Sequence, residues 1–294
     1  MTVSPRPPAP VPVDDPRIEA LRHLIGVIDR LRAPDGCPWD LEQSEASMAP
    51  CLVEEAYELQ EAIENESAEA RASEAGDVLL NVVLIAKIAE QEGDWDLEAA
   101  ARDSTAKLIR RHPHVFGDGD AANSETVLEN WEAIKRAERR EDGLDDSALA
   151  GIPKALPALQ RAQRLASKAA GAGFQWDAVR GAFAKVLEEA DELAEVLTED
   201  VLAAKPKPEL DADQRGRLEH ELGDLLLAGA ILGRYLGLDS EGACRAATRR
   251  FEARFRGMEA NLRLERGAKA FEGLDESALR RAWAAVKQEP QAGL

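Results

Sequence analysis

Acidic side chains recur at helical spacing in two stretches of the sequence. Residues 54–58 read Glu-Glu-Ala-Tyr-Glu, and residues 188–192 read Glu-Glu-Ala-Asp-Glu. Because residues three or four apart share a face of an α-helix, each stretch would place three carboxylates on adjoining surface. A Glu-x-x-Asp motif follows each stretch, at residues 74–77 and 221–224. Two such helices packed antiparallel would bring four or five carboxylates together.

Carboxylates in such a cluster repel one another and resist ionisation unless a cation neutralises them. Hard oxygen ligands of this kind suit Mg²⁺, and Mn²⁺ as a second choice. Apolar runs follow Asp77 and Asp224, which indicates core helices with their carboxylates at the edge of a pocket. A single Glu-Glu-x-x-Glu is more often a solvated face. The ordered repetition of both motifs is what favours a metal site.

Basic residues that could hold phosphate also occur in pairs four apart. Arg250 and Arg254 form one pair, and Lys107 and Arg111 form the other. Arginine forks bind phosphate oxygens through two hydrogen bonds, although ion pairing with nearby glutamates explains either pair equally well when it is taken alone. No glycine-rich phosphate loop or dinucleotide fingerprint occurs, so phosphate binding would depend on metal and side chains.

A di-iron carboxylate site is a weaker interpretation of the same acidic residues. Such a site needs Glu-x-x-His on two helices. The sequence has four histidines, and none of them follows a motif glutamate by three.

The segments that must position these groups are rich in the strong helix formers Ala, Leu, Glu and Arg. Apolar residues recur at spacings of three and four, as between Ile18 and Leu31. No convincing alternating run of β-branched residues is present. We therefore expect an all-α fold of helical-bundle units, with an aliphatic core because aromatic residues make up only 4% of the chain.

The 294-residue chain divides into two similar halves. Glycine and proline breakers predict a linker at residues 141–157. Five landmarks recur in one order on both sides of it. They are a Gly…Trp-Asp segment (36–40 and 173–177), the two acidic motifs, a basic segment (107–111 and 250–254) and Trp-x-x-apolar-Lys (131–135 and 283–287). We infer a tandem duplication, with a disordered proline-rich tail at 1–17, an N-terminal unit at 18–140 and a C-terminal unit at 158–290.

Composition narrows the classes of partner and compartment. The formal net charge of −19 argues against binding to a nucleic acid polymer, which draws on clustered Lys and Arg. Cysteines are three in number and lack zinc-type spacing, which indicates a reducing cytoplasm. No apolar run approaches the ~18 residues that span a bilayer, so we expect no membrane association. The proline-rich N-terminus lacks the apolar core of a signal peptide.

These motifs together resemble those of the MazG family of nucleoside triphosphate pyrophosphohydrolases. Gly-Cys-Pro-Trp-Asp at 36–40 and Arg-Arg-His-Pro-His-Val-Phe at 110–116 strengthen the resemblance, which covers residues 18–290. The resemblance implies an all-α fold that usually assembles as a homodimer. It also implies Mg²⁺-dependent hydrolysis of NTPs and dNTPs between the α- and β-phosphates, which serves house-cleaning of the nucleotide pool.

The resemblance assigns roles by position. It implies metal ligands at Glu189, Glu192, Glu221 and Asp224 in the second half, and at Glu55, Glu58, Glu74 and Asp77 in the first. It places nucleotide contacts at Lys185 to Glu189, Arg217, Arg250 to Arg254 and Trp283. Relatives carry Lys where this chain has Arg217 and Arg250, and often Asn where it has Thr248. Trp283 would stack on the base, or it would anchor a C-terminal helix.

The catalytic candidates are Glu188, Glu189 and Glu192, with Glu188 as the candidate base that takes a proton from water. We expect the second half to carry most of the catalysis. Lys185 precedes Glu188 by three residues, whereas Cys51 holds the matching position in the first half. Arg217 likewise precedes Glu221 by four, where the first half has alanine. A triphosphate carries more negative charge than one or two Mg²⁺ ions neutralise well, so these extra basic side chains should matter for its binding.

Two other functions stay open at this point. One is a helical scaffold without enzymatic activity that senses nucleotide or binds a partner protein. The other is a base-specific hydrolase of the dUTP or dCTP type in the same superfamily, because the sequence does not fix base preference.

Overall fold

The computed structural model describes residues 11–204 and 206–288, and all regular secondary structure within these ranges is helical. The expectation of an all-α fold is therefore confirmed. The helices are α1 (Pro16–Leu31), α2 (Pro38–Glu42), α3 (Glu45–Asn65), α4 (Ala68–Glu92), α5 (Leu97–Arg111), α6 (Pro113–Phe116), α7 (Ser124–Glu141), α8 (Ala158–Gly171), α9 (Val179–Val196), α10 (Glu199–Ala203), α11 (Ala212–Tyr235), α12 (Ser240–Arg266) and α13 (Glu276–Gln288).

The chain forms two compact units, with unit 1 ending at Glu138 and unit 2 beginning at Arg139. The division falls near the end of α7, and the predicted linker at 141–157 lies between α7 and α8. Most of the predicted tail, residues 1–10, lies outside the described residues, and α1 already begins at Pro16. None of the helices that the structure describes is both long enough and apolar enough to cross a bilayer.

Unit 1 is built on the helix pair α3 and α4, which a two-residue connection makes antiparallel. Ser44 starts α3 with a capping box, and Ser67 caps α4 by accepting a hydrogen bond from the Ala70 amide. Both caps satisfy amide groups that the first helical turn leaves without partners. The core beside this pair is aliphatic, as expected, and contains Ile28, Met48, Val83, Leu84 and Ile88. This packing fixes the first pair of acidic motifs on neighbouring helices.

Unit 2 repeats the arrangement with α9 and α11, and α8 packs on the other side of α11. Asp211 starts α11 with a capping box that it shares with Gln214. Small residues let the neighbouring helices approach closely. At Gly233, an added Cβ would lie 2.1 Å from the Ser240 Oγ, so a larger residue there would displace the Ser240 side chain.

The long helix α12 leaves this bundle and packs against α13 at its C-terminal half. Met258, Leu262, Ala270 and Val286 form a second apolar cluster between these elements. Trp283 packs against the same cluster, and its ring centroid lies 5.3 Å from that of Phe251. The α12–α13 pair therefore carries the predicted nucleotide contacts Arg250, Arg254 and Trp283 of the second half.

Candidate active site

The acidic motifs of unit 2 meet between α9 and α11. Carboxylate oxygens of Glu189, Glu221 and Asp224 all lie within 4.8 Å of one another. Glu188, Glu189 and Glu192 form a second group at the same spacing. Glu189 belongs to both groups and is 4% exposed, whereas Glu188 and Glu192 are exposed. All four predicted metal ligands of this half therefore lie around one buried carboxylate.

Lys185 neutralises part of this negative charge. Its Nζ lies 2.7 Å from a carboxylate oxygen of Glu188 and 2.5 Å from one of Glu189, one turn along α9. The hydrogen bond from Lys185 lowers the pKa of Glu189, and these carboxylates raise the pKa of Lys185 in return. The hydrogen bond with Glu189, together with burial, raises the pKa of Glu192. Neighbouring carboxyls of the cluster therefore have opposite pKa shifts, lowered for Glu189 and raised for Glu192.

A divalent cation fits the chemistry of this cluster. Every group is a hard oxygen donor, which is the ligand type that Mg²⁺ and Mn²⁺ prefer. The Oε2 atom of Glu189 is buried and has no hydrogen-bond partner among the described residues. A buried, unpaired carboxylate oxygen is costly unless a cation satisfies it.

His220 is a neighbour of the cluster that sequence reasoning did not include. Its Nε2 lies 3.5 Å from the Oδ2 of Asp224, with most of its ring exposed. The helical spacing could have indicated it, because His220 precedes Asp224 by four residues on α11.

Unit 1 brings together Glu55, Glu58 and Glu74, whose carboxylate oxygens lie within 4.8 Å of one another. Asp77 lies outside this closest group but near enough for its charge to affect Glu55 and Glu74. Burial, followed by repulsion from Glu58 and Asp77, raises the pKa of Glu55 and of Glu74. Cys51 occupies the position that matches Lys185, so no lysine pairs with these carboxylates from that turn of α3.

The remaining substrate contacts predicted in unit 2 are basic or aromatic. Arg217 is exposed one turn before Glu221 on α11. Arg250 is exposed on α12, whereas the Nε of Arg254 is buried and has no hydrogen-bond partner among the described residues. Neither arginine of α12 forms an ion pair with the carboxylate cluster within the described part of the chain. These arginines therefore keep their charge available.

The matching basic residues of unit 1 are already paired. Lys107 bonds to Asp103, one turn earlier on α5. Arg111 donates to Glu138 through Nε and through a terminal nitrogen, at 3.1 and 2.6 Å, and Arg110 donates to the same carboxylate at 2.5 Å. The hydrogen bonds from Arg111, with those from Arg110, hold the pKa of Glu138 at about 2.

Comparison with known proteins identifies relatives of this arrangement. The model of the MazG nucleotide pyrophosphohydrolase domain matches residues 43–116, which include α3 and α4. A nucleoside triphosphate pyrophosphohydrolase of Escherichia coli K12 is 39% identical over 268 residues, 91% of this chain and 97% of its own length. The Thermotoga maritima nucleoside triphosphate pyrophosphohydrolase/pyrophosphatase MazG is 39% identical over 237 residues, 81% of this chain and 84% of its own. A Mycobacterium tuberculosis nucleoside triphosphate pyrophosphohydrolase is 33% identical over 163 residues, 55% of this chain and 48% of its own.

Proposed function

The chain belongs to the MazG family of nucleotide pyrophosphohydrolases, and on that premise we propose that unit 2 is its main catalytic unit, with Mg²⁺ as cofactor. The protein is an enzyme that hydrolyses the phosphoric anhydride of nucleoside triphosphates. The products are a nucleoside monophosphate and pyrophosphate, and the substrates include ribo- and deoxyribonucleotides. Such an activity serves to clear unwanted nucleotides from the pool.

The observation that carries this proposal is the position of Glu189. It is buried, it belongs to both acidic groups of unit 2, and one of its oxygens has no hydrogen-bond partner among the described residues. A purely structural glutamate in the interior would have that oxygen satisfied. The arrangement supports a site at which Glu189, Glu192, Glu221 and Asp224 hold the cation.

When bound, Mg²⁺ (or Mn²⁺) supplies Lewis-acid chemistry by polarising phosphate oxygens and lowering the pKa of a water molecule. The protein's part is to place that water and its base. Glu188 is exposed beside the cluster and is held by Lys185 at 2.7 Å, so its carboxylate is open to solvent on one side. We assign Glu188 as the group that accepts the proton of the attacking water.

The reaction forms one bond to phosphorus and breaks another. The water oxygen bonds to the α-phosphorus, and the bond from that phosphorus to the bridging oxygen breaks. Pyrophosphate leaves with the bridging oxygen, and one water proton passes to Glu188. Lys185, Arg217, Arg250 and Arg254 offset the charge that develops on the leaving group. The partly exposed indole of Trp283 stacks on the base, and stacking tolerates different bases.

The experiment is hydrolysis of labelled ATP with Mg²⁺, with separate detection of pyrophosphate and orthophosphate. Pyrophosphate is expected, and chelator should abolish turnover until Mg²⁺ or Mn²⁺ is restored. Glu189→Gln should remove activity. Asp191→Asn, which removes the same charge from an exposed residue of α9 outside both acidic groups, should leave activity within twofold. Release of ADP and orthophosphate, or full activity in chelator, would overturn the proposal. Absence of turnover with a full panel of nucleotides would favour a scaffold.

A homodimer is the second part of the proposal. The helix pair that carries the unit 2 carboxylates also has apolar side chains with about half of their surface exposed. They are Phe183 and Leu187 on α9, and Leu222 and Leu226 on α11. Each pair is four residues apart, so each helix presents an apolar stripe that a second subunit would cover. Light scattering should give twice the chain mass of 31.9 kDa. The monomer mass would contradict the dimer.

A further inference from the structure

The basic residues at the end of α5 form a compact cluster with α7. Arg110 and Arg111 both donate to Glu138, and the Arg111 guanidinium lies 5.5 Å from the centre of the Trp131 ring. The His112 ring meets the other side of the cluster, with its centroid 4.9 Å from that of Trp131 in an edge-on arrangement. Two of these residues match predicted nucleotide contacts of unit 2, because Arg111 corresponds to Arg254 and Trp131 to Trp283.

Glu138 satisfies these arginines in the way that a phosphate group would. A carboxylate and a phosphate present similar pairs of oxygens to a guanidinium fork, and arginine binds either one through parallel hydrogen bonds. The Arg111 and Glu138 side chains are only 18% and 14% exposed. Partial exclusion of water strengthens such a pair, so displacing the carboxylate carries a substantial cost.

The indole face is also occupied. Arg111 covers one part of Trp131 and His112 touches another, so the ring has partners that a nucleobase would have to replace. Trp283 in unit 2 has aromatic neighbours but no arginine stacked on it among the described residues.

Unit 2 has no acidic residue in the corresponding place. Glu138 follows Trp131 by seven residues, and the residue seven after Trp283 is Pro290, whose structure lies outside the described residues. The Arg254 Nε correspondingly has no hydrogen-bond partner in the described part of unit 2. The two copies of the basic segment also differ beside this arginine, because Ala253 and Phe255 correspond to Arg110 and His112.

We propose that unit 1 contains a second binding site for the polyphosphate chain of a nucleotide, formed by Arg110 and Arg111 beside Trp131, and that Glu138 keeps it closed by occupying the position of a phosphate. This inference rests on the proposed function, because it assumes that the matching residues of unit 2 hold the nucleotide. Unit 1 retains Glu55, Glu58 and Glu74 within reach of one cation. On this proposal, the occupied arginines keep the nucleotide out of unit 1, and missing carboxylates do not.

The test counts nucleotide sites with α,β-methylene-ATP, which the reaction cannot cleave, in Mg²⁺ by calorimetry. The wild-type chain is expected to bind one molecule, and Glu138→Gln is expected to bind two, with the affinity of unit 1 raised at least tenfold. Glu132→Gln is the matched control, since Glu132 lies on the same helix, pairs with Lys135, and undergoes the same loss of charge. It should bind one.

The outcomes separate this inference from the proposed function. One site in both wild type and Glu138→Gln would overturn the closed site and leave the function standing. Two sites in the wild type would also overturn it. No site in the wild type but one in Glu138→Gln would overturn the assignment of unit 2 and support the closed site, whereas no site in either would overturn both.

A measurement on the wild type covers the case in which Glu138→Gln does not fold. Hydrogen exchange with and without the analogue should show protection in α9, α11 and α12 and no change in α5 and α7. Protection of α5 and α7 in the wild type would mean that Glu138 does not close the site.

Discussion

The two units carry the same acidic framework and differ in the cation that neutralises it. In unit 2, Lys185 bonds directly to Glu188 and Glu189. In unit 1, Cys51 takes that position, and burial with mutual repulsion raises the pKa of the Glu55 and Glu74 carboxyls. The carboxylates alone therefore do not distinguish the units. The difference lies in the positive charges around them.

The basic residues of α5 and α12 differ in the opposite sense: the arginine of unit 1 has a carboxylate partner, and that of unit 2 lacks one in the described residues. Arg111 in unit 1 is neutralised by Glu138, whereas the Nε of Arg254 in unit 2 has no partner among the described residues. Unit 2 thus combines partly neutralised carboxylates with an arginine that no carboxylate occupies in the described residues, which suits the proposed triphosphate–metal complex. Unit 1 combines repelling carboxylates with an occupied arginine. If the units arose by duplication, as the sequence predicts, the acidic residues have been retained in both and the surrounding charges have diverged.

The largest effect is expected from removing one ligand in each unit. Glu192→Ala should lower kcat/KM by orders of magnitude, because Glu192 lies in the group around Glu189. Glu58→Ala should cost much less, with a gap of more than about tenfold, or ~1.4 kcal/mol, in transition-state stabilisation. Steady-state kinetics would measure both variants, with circular dichroism to confirm folding. Equal losses would show that the units share catalysis, and a larger loss for Glu58→Ala would reverse the assignment.

The next effect concerns the lysine that only unit 2 possesses. Lys185→Met keeps the length of the side chain and removes its charge, so kcat should fall about ten- to a hundredfold, in line with the loss of a charged group that stabilises a transition state. Cys51→Met changes the matching residue of unit 1 and should leave kcat within twofold. The comparison is made at saturating Mg²⁺ and ATP. An unchanged kcat for Lys185→Met would remove this lysine as the source of the difference.

A smaller effect is expected at the two tryptophans. Trp283→Ala should raise KM about tenfold, since stacking of a base on an aromatic ring contributes roughly 1–3 kcal/mol. Trp131→Ala should leave KM unchanged, because Arg111 and His112 already occupy that ring. Trp283→Phe serves as the control, since it retains a ring against the cluster of Met258 and Val286. A fall in melting temperature without a change in KM would make Trp283 an anchor of α13 only.

The smallest effect is a pH dependence of the stability of unit 1. Because the folded-state pKa of Glu138 is about 2, below its ordinary value of 4.5, the ion pair stabilises the folded state above pH 4.5. That contribution, roughly 1–2 kcal/mol, is lost as the pH falls from about 4.5 towards 2. Urea unfolding across this range should show a steeper loss for wild type than for Glu138→Gln. Parallel curves would mean that Glu138 contributes nothing to the folded state.

Much of the fold and of the carboxylate cluster follows from sequence periodicity. Spacings of three and four place Glu189 with Glu192, and Glu221 with Asp224, on single helical faces, and the apolar runs indicate that these helices pack. The pairing of Lys185 with Glu188 and Glu189 obeys the same rule. All these contacts are local, or they join two helices whose packing the pattern already implies.

Contacts between distant segments could not be predicted in this way. Glu138 follows Arg111 by 27 residues, and their pairing depends on how α7 lies against the end of α5. The burial of Glu189 likewise depends on α11 covering one side of α9, and periodicity does not rank three neighbouring glutamates by exposure. These features require the packed structure, because rotamers and helix positions decide them.

The bond between Lys185 and Glu189 makes cation binding in unit 2 an exchange. The lysine serves as an internal counterion that offsets part of the negative charge of the cluster. A divalent ion that binds Glu189 must displace the Lys185 amine, which is held beside this carboxylate in the same molecule. We therefore expect metal occupancy of unit 2 to rise only at ion concentrations high enough to displace the lysine from Glu189.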